Sequence, residues 1–299
     1  MNKAELFSSL NHGMVAERGD AFIRNLEKNL PLIAQSGGLE PVIPLLRGRH
    51  VIIAGAGPSL DLQTATLAGV TGDKRFILIA SDMALRPLVI RGIRPDFVIT
   101  CETTPNDFFS AIDTSSMHLL AFSCSSYSSL KKWRGRISFY NWMLESEFFS
   151  PLWQRAGAGL GFVATGSIVT TQAVSIAMGC GILSLMLAGN DLGFRDRFYA
   201  SETVRFAANQ HCSGRLNTVN SAEMDRCRNN RYYEIVRDNR TFFTNHQFLA
   251  ARYWLDELFS AEPFPVADCS YPGCSPSSVY KTGLDEYISS VKQMSEEMP

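Results

Sequence analysis

Between His50 and Gly189, short runs of β-branched and aliphatic residues alternate with stretches of helical spacing, and this alternation constrains the chain more than any other feature. Strands separated by helices do not pair as tight hairpins; they are joined by crossovers and so form a parallel sheet. The strands are expected at residues 51–55, 75–80, 96–101, 118–123, 136–140 and 182–189, with helices between them. The expected fold class is α/β: a Rossmann-like, mainly parallel sheet flanked by helices.

On either side of this core, residues 46–200, the texture changes. Leu6, Leu10 and Met14, then Phe22, Ile23, Leu26 and Leu30, recur at helical spacing until Ser36-Gly37-Gly38 breaks the pattern, so residues 1–45 are expected to form a helical arm for packing or oligomerisation. Beyond Gly193 the chain is polar and rich in Asn and Arg up to Asn245, followed by a helix at about 247–259, a Pro/Cys/Ser-rich loop and a helix at 284–294. Residues 201–299 are expected to complete the site and to pack on the core.

Composition narrows the partners. A chain of 299 residues with 45% hydrophobic content can bury a full core. With 28 Lys+Arg against 29 Asp+Glu it offers neither a basic field for nucleic acid nor a polybasic tail for an anionic membrane. The seven cysteines contain no C-x-x-C pair, and the polar start M-N-K-A-E lacks the pattern of an export signal, so a cytoplasmic protein with reduced thiols, Cys269 and Cys274 included, is expected. Residues 163–189 carry no charge over a bilayer-spanning length. However, Thr165, Ser167, Thr170, Thr171, Gln172 and Ser175 make the first half polar, and Gly179-Cys180-Gly181 interrupts it, so a buried helix followed by a central strand is expected, with no membrane span.

The stretch V-I-I-A-G-A-G-P-S-L-D-L at 51–62 carries the most pointed signal. A strand ending in Gly55-Ala56-Gly57, with Pro58 opening a helix, aims backbone N–H groups and a positive helix end at one point, which suits a phosphate. On this reading Ser59 adds a hydroxyl donor, and a side chain at Gly57 would fill the phosphate's approach. The dinucleotide fingerprint G-x-G-x-x-G is not met, because Leu60 stands in place of the third glycine, and no Walker loop occurs. A sharp strand-to-helix turn would read the same way. What favours a ligand is the company at the other strand ends: Ser81-Asp82, Thr100-Cys101-Glu102, Ser123-Cys124-Ser125-Ser126 and Gly189-Asn190-Asp191.

Three blocks in this order, G-A-G-P-S-L-D at 55–61, A-S-D-M-A-L-R-P-L-V-I-R-G-I-R-P-D-F-V-I-T at 80–100 and G-S-I-V-T-T-Q-A-V-S-I-A-M-G-C-G-I-L-S-L-M-L-A-G-N-D-L at 166–192, resemble a known family. The chain looks like the central domain of bacterial motility-associated factor glycosyltransferases, which is shared with archaeal 6-hydroxymethylpterin diphosphokinases. The resemblance implies a Rossmann-like domain related to sialyltransferases, with the G-P-S-L loop against the phosphate of a CMP-activated sugar. It also implies transfer of a nonulosonic acid to Ser/Thr of flagellin in the cytoplasm. The matching positions are Gly55, Gly57, Pro58, Ser59, Asp82, Asp96, Ser167, Gly189 and Asp191. Two departures stand out. The diphosphokinases' D-x-D element is replaced by Thr100-Cys101-Glu102-Thr103-Thr104, with one carboxylate, and the stretch G-N-D-L-G-F-R-D-R-F-Y-A at 189–200 holds no histidine.

Sugar transfer needs a nucleotide holder, a cation beside the departing phosphate and a base. The nucleotide is expected at Gly55, Ala56, Gly57, Pro58, Ser59, Asp82, Ser167, Gly189 and Asn190, with Asp82 either on ribose hydroxyls or, beside Ser81, at a helix cap. Asp191 and Glu102 are the expected catalytic carboxylates, since burial can raise a carboxylate toward neutral pH. The cation could come from Arg195, Arg197 or Arg215. His211 and His246 lack metal-ligand spacing, so no metal site is expected, and Asn209, Asn217 and Asn220 suit either sugar hydroxyls or turns. The aromatic cluster from Tyr140 to Trp153 suits the acceptor side, the core or a dimer contact. The expected partners are a nucleotide-activated small molecule and a protein acceptor such as flagellin, with an oligomer compatible. No resident cofactor is expected beyond the CMP-sugar donor. Mg²⁺ enters only with the alternative, diphosphate transfer from ATP to a pterin-like alcohol. A third alternative is a nucleotide or sugar sensor without turnover.

Overall fold

Val51, Ile52, Ile53 and Ala54 are all fully buried, and side chains on a strand alternate between faces, so this strand has two apolar faces and needs cover on both. Val51 and Ile53 belong to one core cluster with Phe22, Leu26 and Leu120, whereas Ile52 and Ala54 belong to a second with Leu60, Leu67, Leu88 and Ile288. The sheet therefore lies between two helical layers. The computed structural model describes residues 2–144, 146–195, 197–203, 232–237, 239–261, 264–271 and 274–297.

The chain opens with helix α1 (Lys3–Ser36), a short 3₁₀ turn and α2 (Ile43–Leu46). There follow β1 (His50–Ala54), α3 (Leu60–Ala68), β2 (Phe76–Ser81), α4 (Asp82–Ile90), β3 (Phe97–Thr100), β4 (His118–Phe122), α5 (Tyr127–Leu130), β5 (Arg136–Trp142), α6 (Phe149–Ala156), β6 (Phe162–Val163), α7 (Val169–Gly179) and β7 (Ser184–Ala188). A hairpin, β8 (Tyr233–Arg237) and β9 (Arg240–Thr244), precedes α8 (His246–Ala261), β10 (Val266–Asp268), β11 (Tyr280–Lys281) and α9 (Leu284–Glu297).

The main sheet has nine strands in the order β11-β10-β7-β1-β2-β3-β4-β5-β6, every pair parallel. The chain walks outward from β1 to β6, then returns to lay β7 on the other side of β1. The carboxyl ends of β1 and β7 thus flank the point where the strand order reverses, the usual place for a ligand crevice in such sheets. The α/β Rossmann-like expectation agrees with this sheet, and the six expected strands all form, with ends moved by one or two residues. The edge strands β6 and β11, and β10 beside β11, were not expected. Nor was the hairpin, which lies in the stretch read as polar. The cluster at 140–153 belongs to the core: Trp142 stacks on Phe122 at 3.8 Å, and Trp153 stacks on Phe149 at 5.1 Å.

Helix α1 is not a free-standing arm. Its buried stripe is Gly19, Phe22, Asn25, Leu26, Asn29 and Ile33, while Ile23, expected inside, is 44% exposed. The stripe contains two asparagines because the ends of two loops lie beneath it. Asn25 Nδ2 donates to the carbonyls of Thr103 (2.9 Å) and Cys124 (3.1 Å), and Asn29 Nδ2 to those of Ser123 (2.9 Å) and Ser125 (2.8 Å). Four carbonyls that would otherwise be buried without partners are satisfied in this way. Among the described residues no helix is long and apolar enough to cross a membrane, and Cys269 and Cys274 form no disulfide.

Phe22 is fully buried against four rings, those of Phe122, Trp142, Phe148 and Phe149, at centroid distances of 6.0, 5.8, 6.1 and 5.7 Å. Phe22→Ala is expected to cost about 3–5 kcal/mol of unfolding free energy in a denaturant titration. A loss below about 1 kcal/mol would mean that α1 is not part of the cooperative core.

Candidate functional site

The turn after β1 and the turn after β7 approach so closely that only glycine fits. A Cβ on Gly55 would lie 2.5 Å from the Gly189 carbonyl oxygen, and a Cβ on Gly189, which has φ of +62°, would lie 2.5 Å from the Gly55 carbonyl oxygen. A Cβ on Gly57 would stand 2.2 Å from Asp191 Oδ2. The backbone N–H groups of this loop are engaged as well: Gly55 N–H donates to Ala188 O and Gly57 N–H to Gly189 O, both at 2.8 Å, and Ser59 N–H donates to Asp191 Oδ2 at 2.9 Å. Gly57 thus keeps space for the Asp191 carboxylate, which already supplies an anion to the start of α3.

Asp191 itself is 3% exposed, and its other oxygen accepts the Tyr271 N–H at 2.8 Å. Burial pushes its carboxyl up to about 6, against the hydrogen bonds from Ser59 and Tyr271. Asn190 is also structural in part, since its Nδ2 donates to the Ile53 and Ala188 carbonyls at 2.9 and 3.0 Å.

Above these turns lies a cavity of about 260 Å³ at the carboxyl edge of the sheet. Gly55, Ala56, Gly57, Asp82, Glu102, Ser167, Gly189, Asn190 and Asp191 all line it. Pro58 and Ser59 do not: Ser59 faces a neighbouring cavity of about 180 Å³ between α3 and the start of α9. Asp96 sits at the opposite end of β3, where its carboxylate accepts the Leu78 N–H at 2.8 Å. Arg197 is held by Asp61 at 3.0 Å, Arg195 is exposed and outside the lining, and His246 pairs with the Tyr233 hydroxyl. Asn209, His211, Arg215, Asn217 and Asn220 lie outside the described residues.

One wall of the cavity is the start of α7. Ser167, Ile168, Val169 and Thr170 line it, the N-cap residue Ile168 makes no capping side-chain hydrogen bond, and Ser167 is held at φ of +79°. Gly166 lets α8 close on this turn, because a Cβ there would be 2.8 Å from the Trp254 side chain. An uncapped helix start presents N–H groups and a partial positive charge to the cavity. Facing it are carboxylates. Asp82, 6% exposed, accepts the Thr100 hydroxyl at 2.6 Å and the Met83 N–H at 2.8 Å, and burial, aided by the nearby Glu102 charge, pushes it up to about 7. Glu102 accepts the Thr104 N–H at 3.0 Å and lies 3.4 Å from an Arg18 nitrogen.

Sequence reasoning missed Arg18, Phe108, Gln247 and Phe248, all of which line the cavity. Arg18 comes from α1, about eighty positions before Glu102 in the chain, and nothing local to it signals a site. Phe108, Phe198, Tyr199 and Phe248 give the cavity an aromatic wall.

Two outcomes follow from this geometry. Gly57→Ala is expected to lower the melting temperature, by the equivalent of about 1–3 kcal/mol, whether or not ligand is present; an unchanged melting temperature would contradict the packing account. Asp82 has a folded pKa above its unfolded value of 3.8, so the stability it contributes is complete below that value and is lost as the pH rises through about 7. Between about pH 5 and about pH 8, urea unfolding should therefore show wild type losing stability relative to Asp82→Asn.

The comparisons with known proteins agree with this fold. A likeness to the solved motility-associated factor glycosyltransferase of Magnetospirillum magneticum AMB-1 has a TM-score of 0.54 at 16% identity, covering 84% of this chain. This chain spans 37% of that protein's length. No curated protein matches. A family model described as 6-hydroxymethylpterin diphosphokinase MptE-like matches residues 24–197, more than half of the sequence and all of β1 to β7 with the turns after them, and the chain belongs to this MptE-like family.

Proposed function

We propose that the protein is a glycosyltransferase that takes a CMP-activated nonulosonic acid and transfers the sugar to a hydroxyl acceptor. The observation that carries this reading is the cavity in which the uncapped start of α7 and the Arg18 guanidinium face Asp82 and Glu102. A phosphodiester carries one negative charge, which suits a helix start and one guanidinium. The aromatic side chains Phe108, Phe198, Tyr199 and Phe248 suit a planar base. Asn190, Gly189 and the Gly55–Gly57 turn then act as the rigid floor under the nucleotide. The glycosyltransferase of similar fold supports the sugar-transfer class. The acceptor on this reading is a Ser or Thr hydroxyl of a cytoplasmic protein such as flagellin.

The family match supports a second reading, diphosphate transfer from ATP to a pterin-like alcohol. That reaction needs Mg²⁺ on the triphosphate, usually held by paired carboxylates. The described residues do not fit such an ion, because no three His, Cys, Asp or Glu side chains gather at one point.

Calorimetric titration separates the two readings. Binding of CMP without metal is expected, with Arg18→Ala weakening it by about tenfold, or about 1.4 kcal/mol. Preference for ATP with Mg²⁺ would support diphosphate transfer instead, and CMP binding without release of CMP from an activated sugar would point to a sensor.

A further inference from the structure

We propose that Asp82 is the proton acceptor for the incoming hydroxyl group, a role within the sugar-transfer reading above and resting on it. Among the described residues three carboxylates line the cavity: Asp82, Glu102 and Asp191. Asp191 holds the Ser59 and Tyr271 N–H groups from two separate loops, so its two oxygens are part of the scaffold. Glu102 is engaged by Arg18 and by the Thr104 N–H. Asp82 is different: its hydrogen bonds come from Thr100 and from the next residue in its own helix, and among the described residues no cation pairs with it. Each carboxylate oxygen can accept two hydrogen bonds, so both keep a lone pair for a hydroxyl in the cavity.

The surroundings fix how this group responds to pH. The titratable side chains around Asp82 are Glu102 and Cys101 at the end of β3 and Tyr140 of β5, with Arg18 of α1 reaching Glu102. Burial pushes Cys101 up to about 12 and Tyr140 well above its ordinary value, so both stay neutral when Asp82 titrates. No histidine lines the cavity among the described residues.

The step balances within the cavity. The acceptor O–H bond breaks, and its proton passes to an Asp82 oxygen. The acceptor oxygen forms a bond to the anomeric carbon. The bond from that carbon to the phosphate oxygen breaks, and its electron pair leaves with CMP. The start of α7 and Arg18 face the charge that develops on the departing phosphate.

The test uses the full chain, CMP-N-acetylneuraminic acid as donor and water as acceptor, with CMP release followed from about pH 5 to about pH 9. Wild type should show an acidic limb near neutral pH. Asp82→Asn should bind CMP with near wild-type affinity while release falls by about a hundredfold and the limb disappears. Thr100→Val removes a hydrogen bond that favours the ionised carboxylate, so the limb should move to higher pH. Wild-type release rates or an unchanged limb in Asp82→Asn would overturn the assignment, as would an unmoved limb in Thr100→Val. Carboxyl ¹³C NMR of the ligand-free chain reads Asp82 independently of turnover. A signal missing from Asp82→Asn that titrates near neutral pH supports the assignment; one that titrates below about pH 5 overturns it. A wild type that neither binds CMP nor releases it sinks the transfer reading itself, whatever the NMR signal does.

Discussion

The Asp191 carboxylate is the tie on which this architecture depends. One oxygen holds the N–H of Ser59 ahead of α3, and the other holds the N–H of Tyr271 beyond β10, so a single buried group joins the turns that follow β1, β7 and β10. A buried carboxylate is costly unless its oxygens are satisfied, and a hydrogen bond to a charged group is worth about 1.5–3 kcal/mol. Gly55, Gly57 and Gly189 make the tie geometrically possible, because any side chain there would separate the two turns. The glycine pattern therefore serves the anion that the protein carries within itself, and the positive end left open to the cavity is that of α7.

Much of the framework was legible in the sequence. The runs at Val51 to Ala54 and Leu185 to Ala188 are buried on both faces, so their apolar character was continuous and unmistakable. The edge strands were not legible because β6 and β11 are only two residues each, too short for any periodicity. Ile23 lies exposed and Asn25 buried for a reason no hydropathy pattern contains: the surface beneath α1 is made partly of carbonyl groups.

The site was legible at the level of position and less so at the level of role. Small and acidic residues at the carboxyl ends of the strands do meet around one cavity, as the parallel topology requires. Which of them holds the scaffold and which faces the cavity with capacity to spare depended on hydrogen-bond partners far away in sequence. Asp191 is tied to Ser59 and Tyr271, and Asp82 to Thr100. The departures around Glu102 acquire a physical meaning here, since the Arg18 guanidinium of the first helix lies 3.4 Å from its carboxylate.

The grip of Asn25 and Asn29 on the turns near Thr103 and Ser123 spans 78 and 94 positions of the chain. During synthesis the first helix emerges long before the strands whose ends it secures, and the β10 and Tyr271 segment that completes the Asp191 tie emerges later still. Contacts of such separation close late, because the entropy of the intervening loops must be lost first. The cavity consequently belongs to the last stage of folding. A nascent chain released before these turns are made would expose the carbonyl-binding asparagines and the Phe22 ring of the first helix together.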